Sequence, residues 1–143
     1  MEWTDEAIVL SARPHGEAAV VATLLTRTHG RHSGLVQGGR SSKQRGNLQA
    51  GNRVSARWRA RLADHLGTFT IEPIHNNAAG MLDDPLRLAA LVSACTVTEV
   101  VLPDREPHEP VFHGLAALLE AFETPLWAPA YVRWELGLLQ ELG

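Results

Sequence analysis

The chain has 143 residues, of which 45% are hydrophobic and 20% are charged, and its formal net charge is -3. A chain of this length and composition can bury one good core or two small ones, which excludes a disordered protein. The single cysteine, Cys95, excludes a disulfide framework and a cysteine-based zinc site of its own. With no apolar stretch of ~18 to 20 residues and no signal-peptide pattern, we expect a cytoplasmic protein without a membrane partner.

The first half of the chain reads as five short strands separated by turns. The predicted strands cover residues 6–13, 18–27, 31–40, 54–62 and 68–76. The alanine content of the second strand leaves a helix open there, and residues 41–51 read as a flexible polar loop. Short strands at close spacing with glycine-rich bends favour a small barrel over a sandwich, which needs more strands. We therefore predict an α+β protein whose residues 1–76 form a five-stranded antiparallel OB-type β-barrel.

The second half, residues 77–143, is predicted to be a small α-helical domain. Asp84 followed by Pro85 is a helix start, and the run that ends before Pro103 is apolar nearly all round, as a buried helix is. Residues 111–123 and 130–142 carry aromatic and leucine stripes at helical spacing, which are typical of core. Because the last helix runs to Gly143 without a tail, we expect a helical domain that is truncated at its C-terminus.

Charge is distributed unevenly between the two halves. Residues 1–75 hold ten Lys and Arg against six Asp and Glu, a net charge of +4, whereas residues 76–143 have a net charge of -7. Between Glu17 and Asp64 there are nine basic residues and no acid. A basic half is the electrostatic footprint expected of a protein that binds a polyanion.

The sequence offers little for catalysis or for metal binding. His29 and His32 lie three residues apart, but Gly30 and Gly34 break any helix that could hold both on one face, so a metal site is not predicted. The two histidines are expected to add positive charge near a polyanion at mildly acid pH. Neither a nucleotide-binding glycine motif nor a nucleophile elbow is present, so no catalytic residue is predicted.

A row of arginines is the strongest candidate for binding. In the predicted strand 54–62, Arg57, Arg59 and Arg61 alternate with apolar residues and share one face, ~6.6 to 6.8 Å apart. This spacing is of the order of the phosphate spacing along an extended single strand, and guanidinium groups suit phosphates. Trp58 alternates into the apolar face. The alternative is a solvated arginine-rich face with no ligand.

Four motifs of the first half resemble the N-terminal OB domain of the RecO family of bacterial recombination mediators. They are "ARPHGE" at 12–17, "HGRHSGLVQGGR" at 29–40, "LQAG" at 48–51 and "LGTFTIEP" at 66–73. Each motif is weak alone, but their order and spacing are specific, and the helical remainder resembles the start of the family's second domain. The resemblance covers essentially the whole chain.

Two departures from the family pattern affect what is expected. Ala50 stands where the family usually has proline, which should leave that loop more flexible. The family commonly continues into a four-cysteine zinc-binding element, which this chain does not contain, so we expect no zinc and no other cofactor.

The resemblance implies a nucleoid-associated protein of RecF-pathway DNA repair that binds single- and double-stranded DNA and anneals complementary strands without covalent chemistry. The partners implied are RecR, single-strand-binding protein and, indirectly, RecA. Matched to the family motifs, DNA contact is expected of Arg31, Arg40, Lys43 and Arg45. The charge argument adds Arg27, Arg53, Arg57, Arg59 and Arg61. Arg133 beside Trp134 is expected to meet the acidic, apolar C-terminal tail of single-strand-binding protein.

Two other function classes remain open from the sequence. One is a general OB-type adaptor that binds RNA or a protein, and the other is an enzyme. A strong preference for RNA over DNA of the same sequence would favour the adaptor.

Overall fold

Five β-strands, each short except the first, are followed by three long helices in the computed structural model, which describes residues 1–143. A six-residue helix interrupts the strands, and a 3-10 turn at Ala78–Met81 joins the two halves. The elements are β1 (Glu2–His15), β2 (Ala19–Thr26), β3 (Gly30–Val36), α1 (Ser42–Asn47), β4 (Arg53–Arg59), β5 (Thr68–His75), α2 (Pro85–Val101), α3 (Glu109–Ala121) and α4 (Trp127–Leu142).

The strands form a ring in the order β1-β2-β3-β5-β4, and β4 pairs back onto β1. Four seams are antiparallel, but β3 and β5 are parallel and meet at the single pair Leu35 and Thr68. The predicted five strands are confirmed, and the all-antiparallel pairing is wrong. A ring with an odd number of strands cannot alternate direction throughout, so one seam must be parallel. Because β3 and β5 share only one pair, the barrel is partly open between them, as is typical of the Greek-key barrel of OB-folds.

The inside of the barrel is filled by alternate residues of the strands. Val54, Ala56 and Trp58 of β4 point inward, as their alternation in the sequence predicted, and pack with Phe69 and Ile71 of β5. Trp58 is 2% exposed, and its indole N–H donates to the carbonyl of Leu66 at 2.9 Å. The tryptophan therefore anchors the barrel.

Residues 7–10 in the middle of β1 are buried on both faces of the strand. Ala7 and Val9 face the barrel core, whereas Ile8 and Leu10 face outward and join a second core with Leu25 of β2 and the helices. This explains the unbroken apolar run at 7–10, because a strand covered on both faces has no need of alternation. The barrel and the helices thus share one hydrophobic layer.

The long helix α2 lies on this outward face. The Asp84 carboxylate accepts from the backbone N–H of Arg87, Pro85 occupies the first turn, and the helix ends at Val101 before Pro103, as predicted. Only one face is buried: Leu91 and Cys95 pack inside, while Val92 and Val100 remain exposed. The prediction of a helix buried all round is therefore wrong, because α2 covers the barrel and is not itself covered.

The stripes predicted as core in the last two helices are confirmed for α3. Phe112, Leu115 and Leu119 are buried in the helical core, together with Phe122 just after the helix. Leu138 is the buried residue of α4. None of the helices is both long enough and apolar enough to cross a membrane.

The segment between β3 and β4 differs from the predicted strand 31–40 and loop 41–51. β3 ends at Val36, because Gly38 adopts a φ of +67° and turns the chain. The helix α1 follows, and the hydroxyl of Ser41 caps its first turn by accepting from the N–H of Gln44 at 3.3 Å. Leu48, at the end of α1, is buried in the barrel core.

The linker between α2 and α3 pairs with the edge of β3 that β5 leaves mostly unpaired. The N–H of Arg105 donates to the carbonyl of Arg31 at 2.7 Å, and Asp104 forms a parallel bridge with Arg31. The guanidinium of Arg105 lies 5.2 Å from the ring centre of Trp58 and donates to the carbonyls of Ala63 and His65. The linker therefore closes the weak side of the barrel.

Gly30, at the start of β3, is required by this junction. Its φ is +71°, and a Cβ there would lie 2.3 Å from the backbone carbonyl oxygen of Glu106. Gly16 has almost the same φ, +69°, but has open space around it. Comparing substitutions at the two glycines therefore distinguishes the cost of a left-handed backbone from the cost of a steric clash.

We expect Gly16→Ala to lower the free energy of unfolding by about 1 kcal/mol, the cost of a left-handed backbone alone. Gly30→Ala should cost at least about 2 kcal/mol, since the linker must also move. Urea denaturation of the two variants measures the difference. Equal losses would contradict the close packing of the linker against β3.

Candidate nucleic-acid interface

The basic run of the sequence does not form one uninterrupted basic surface. β1 lies beside β4 and brings two acids to its outer face: Glu2 pairs with Arg57, and Glu6 pairs with Arg53. Arg53 is also only 24% exposed. The sequence interval without acids was therefore misleading, because strand pairing supplies carboxylates from a distant part of the chain.

The predicted row of three arginines is also broken by geometry. β4 ends at Arg59, so Arg61 lies in the bend that follows and does not continue the strand face. Arg59 and Arg61 are exposed and have no carboxylate within 4.0 Å, unlike Arg57. Of the three arginines in the predicted row, Arg59 and Arg61 therefore remain free to bind a ligand.

Two further predicted contact residues hold the helices against the barrel. Arg27 pairs with Glu109 at the start of α3 at 3.1 Å. The guanidinium of Arg31 donates to the backbone carbonyl of Glu99 in α2 at 2.9 Å, and its Nε is buried without a partner. The carboxylate of Glu99 pairs in turn with Arg13 at 3.2 Å. Both guanidinium groups are used within the fold, so neither is free of an internal contact, and their contact with DNA stays a prediction.

These contacts decide which part of the barrel is accessible. OB-folds commonly bind oligonucleotides on the face of the second and third strands. Here Leu25 of β2 is fully buried in the core shared with the helices, and Arg31 of β3 is tied to α2. The helical half therefore covers the part of this face near Leu25 and Arg31, whereas Ser33 and Leu35 of β3 stay half-exposed.

A second group of basic residues surrounds α1 and stays free of carboxylates. Arg40, Lys43 and Arg45, which we call the α1 basic cluster, are exposed and make no ion pair. Arg40 donates to the carbonyl of Gly16 at 2.8 Å, which fixes its guanidinium against the β1–β2 turn. The three side chains are therefore free to meet a ligand, and their contact with DNA stays a prediction.

A groove of about 740 Å³ opens beside the α1 basic cluster, between β1, the β1–β2 turn, the segment that follows α1, and α2. We call it the basic groove. Its wall contains apolar groups, among them Leu10, Val20 and Val92, and both Arg40 and Arg45 line it. Glu17 is the one acid of its lining.

The histidine pair at the start of β3 is part of the aromatic packing. His29 stacks on Trp3 with ring centres 3.9 Å apart and pairs with Asp5 at 3.0 Å. His32 is 4% exposed and lies edge-on to Trp58. Burial, and then the charge of Arg105, lower the pKa of His32 to about 4. The expectation that His32 adds positive charge at mildly acid pH is therefore wrong.

Hydrogen bonds set the ionisation of Asp5. Burial opposes ionisation, but the hydrogen bonds from Thr28 and His29 outweigh it and lower the pKa of Asp5. No group of three or more His, Cys, Asp or Glu in the structure could hold a metal ion. The expected absence of zinc stays a prediction. Cys95 is fully buried, and burial raises the pKa of its thiol to about 12.

In the helical half, Arg133 and Trp134 line a groove of about 310 Å³ between α3 and α4, together with Val111 and Leu138. The structure thus brings the two predicted protein-contact residues to one surface.

Two family comparisons cover nearly the whole chain. Residues 1–77 match the family described as recombination protein O N terminal, and residues 82–143 match recombination protein O C terminal. The chain belongs to the RecO family.

Curated members of the RecO family align with the chain over its full length. It is 60% identical to the DNA repair protein RecO of Rhodospirillum centenum, 52% to that of Rhodospirillum rubrum and 46% to that of Cereibacter sphaeroides. The chain spans 57%, 59% and 59% of the length of these relatives.

Sequence reasoning missed the residues that join the two halves of this RecO-family chain. No sequence pattern assigned a role to Arg105 or Glu99, which contact the first half, or to Glu2 and Glu6, which pair with β4 inside the barrel half. No local pattern marks them, because their partners are 40 to 86 residues away. The alternation of β4 could have signalled that its arginines need partners on the neighbouring strand.

The burial of His32 predicts a pH dependence of stability. The folded histidine stays neutral down to about pH 4, whereas an unfolded one takes a proton near 6.5. The unfolded state therefore binds more protons in this window, and we expect the free energy of unfolding to fall by about 1 to 3 kcal/mol from pH 6.5 to pH 4. Urea denaturation across this pH range measures it. His32→Asn should flatten the slope, and an unchanged slope in that variant would rule out His32 as its cause.

The contact between Arg31 and α2 predicts a structural effect. Arg31→Ala should lower the free energy of unfolding by about 1 to 3 kcal/mol, because a charge-assisted hydrogen bond to α2 and the packed side-chain stem are lost. Arg59→Ala, on an exposed face without a partner, should stay within about 0.5 kcal/mol of the parent. Thermal or urea denaturation compares them, and similar values for both would refute the assignment of Arg31 to the fold.

Proposed function

We propose that this chain binds single- and double-stranded DNA through its free basic residues and promotes the annealing of complementary strands in RecF-pathway repair. Membership of the RecO family supports a part in DNA repair, since the curated relatives are named DNA repair proteins. The barrel supports nucleic-acid binding, because OB-folds commonly carry it.

The observation that carries the proposal is the set of exposed basic side chains of the barrel half that have no carboxylate partner. They lie in two places: the α1 basic cluster, which precedes β4, and the end of β4 with the bend after it. The five residues are Arg40, Lys43, Arg45, Arg59 and Arg61. Free guanidinium and ammonium groups attract phosphates without first giving up an internal ion pair.

Annealing requires that two strands approach each other although both carry negative charge. Cations on the protein screen this repulsion, and no proton transfer or covalent intermediate is needed. If the five free residues each neutralise one phosphate, log affinity for a single strand should fall with log salt at a slope of about -3.5. Sequence-tolerant binding follows, because contacts to phosphates carry no base information.

The helical half suits protein partners better than DNA, since its net charge is -7. In the groove between α3 and α4, Arg133 offers a cation beside the half-buried ring of Trp134. We assign this groove to the acidic, apolar C-terminal tail of single-strand-binding protein. RecR, and RecA through it, complete the proposed partners.

A charge-matched pair of variants tests DNA binding. Arg40→Gln, Lys43→Gln and Arg45→Gln together should weaken binding of a fluorescein-labelled oligonucleotide by at least about tenfold at low salt, because three phosphate contacts are lost. The salt slope should become shallower by about 2. Fluorescence polarisation over a range of salt concentrations measures both.

The control variant removes the same amount of charge elsewhere. Arg13→Gln, Arg57→Gln and Arg133→Gln change two ion-paired residues and one in the helical half, and should leave affinity within about twofold of the parent. Equal losses in both variants would mean that only overall charge matters. A strong preference for RNA of the same sequence would favour the adaptor function instead.

A further inference from the structure

The basic groove has a shape and a lining that phosphate binding alone does not explain. Flat basic surfaces suffice to hold a phosphate backbone, whereas this groove of about 740 Å³ is concave and has an apolar wall formed in part by Leu10, Val20, Leu48 and Val92. Concave sites with apolar walls and a few placed polar groups are typical of sites that enclose a small molecule or one unit of a polymer.

The cations of the groove lie where phosphates beside an enclosed group could reach them. Arg40 is held by the carbonyl of Gly16, so one of its N–H groups is used and the others remain available. Arg45 lines the groove without an ion pair. Against these two cations, Glu17 is the only acid of the lining, so the groove favours an anion.

The glycines of the family motif shape this groove. Gly38 has a φ of +67°, which turns the chain towards Arg40. A Cβ on Gly39 would lie 2.6 Å from the side chain of Val20, which forms part of the apolar wall. The paired glycines therefore bring the backbone that carries Arg40 into contact with the apolar wall.

Of single- and double-stranded DNA, only the single strand offers an unpaired nucleotide that can use the cations and the apolar wall together. In a duplex the base is stacked and paired, and reaching a pocket requires that it be flipped out at a cost of a few kcal/mol. In a single strand the base is already free, and an apolar contact to its face is insensitive to sequence. A duplex can still contact the exposed cations at the rim.

We propose that the basic groove binds one unpaired nucleotide of single-stranded DNA, its base against the apolar wall and its flanking phosphates on Arg40 and Arg45. This inference rests on the proposed DNA binding and adds to it the preference of this site for single strands. The remaining basic residues bind either form of DNA through phosphates.

Filling the groove without changing its charge tests the inference. Ala12 and Thr96 line the groove and are exposed, so Ala12→Leu combined with Thr96→Leu narrows it. Thr70→Leu combined with Ala128→Leu makes the same chemical change on exposed positions outside it. Thermal denaturation of both double variants checks that they fold.

The probes are a labelled oligothymidylate of about 12 nucleotides and its duplex with oligodeoxyadenylate, measured by polarisation. The filled variant should lose at least about fivefold in affinity for the single strand, the lower end of the effect of one base contact, and stay within about twofold for the duplex. The control variant should match the parent for both. Arg45→Gln, which leaves the wall intact, should weaken both forms.

Photo-cross-linking of the same oligomer carrying iododeoxyuridine locates the base. Cross-links within residues 10–20, 39–50 or 92–96 support the inference, and cross-links confined to other peptides overturn it. Unchanged single-strand affinity in the filled variant, or equal losses for single strand and duplex, also overturns it.

Two outcomes separate this inference from the proposed function. A parent chain that binds neither probe at low salt refutes DNA binding itself, and with it the occupant proposed here. If DNA binding is intact in the filled variant while an acidic, leucine-containing peptide binds the parent and no longer binds that variant, the groove is a peptide site and the inference is wrong.

Discussion

The packing of α2 onto the outer face of β1 and β2 is the contact on which the accessible surface of this protein depends. Ile8, Leu10 and Leu25 point away from the barrel and would be exposed apolar residues in an isolated barrel. Their burial joins the two halves through one hydrophobic layer and covers part of the strand face that OB-folds commonly use. The exposed cations that have no carboxylate partner lie at α1 and at the end of β4.

The distribution of charge follows from the same arrangement. In the sequence, nine basic residues occur without an acid, but the fold places Glu2 and Glu6 from β1 beside β4, and Glu99 and Glu109 from the helices beside Arg13 and Arg27. These pairs are mostly exposed, so each contributes little to stability. They neutralise part of the charge of the basic half and leave free exposed cations at Arg40, Lys43, Arg45, Arg59 and Arg61.

The sequence predicted the strand count, the inward direction of Trp58, the helix start at Asp84 and the stop before Pro103, because alternation, capping and proline are local signals. It named Arg40, Lys43 and Arg45 as DNA contacts, which stays a prediction, but it placed them in a loop and missed α1. It could not show that Arg31 is used by α2, that Arg61 lies beyond β4, or that Arg105 contacts Trp58. These features depend on contacts between segments that are distant in the sequence, and no local sequence pattern indicates such contacts.

The attachment of Arg105 and Asp104 to β3 bears on how independent the barrel can be. Between Gly30 and Leu35, the edge of β3 that faces β5 has little strand partner of its own, and the linker after α2 supplies part of what is missing. An edge of unpaired backbone groups invites association with other chains. The linker thus covers part of that edge, so residues far along the chain reduce the unpaired backbone that the first half would otherwise expose.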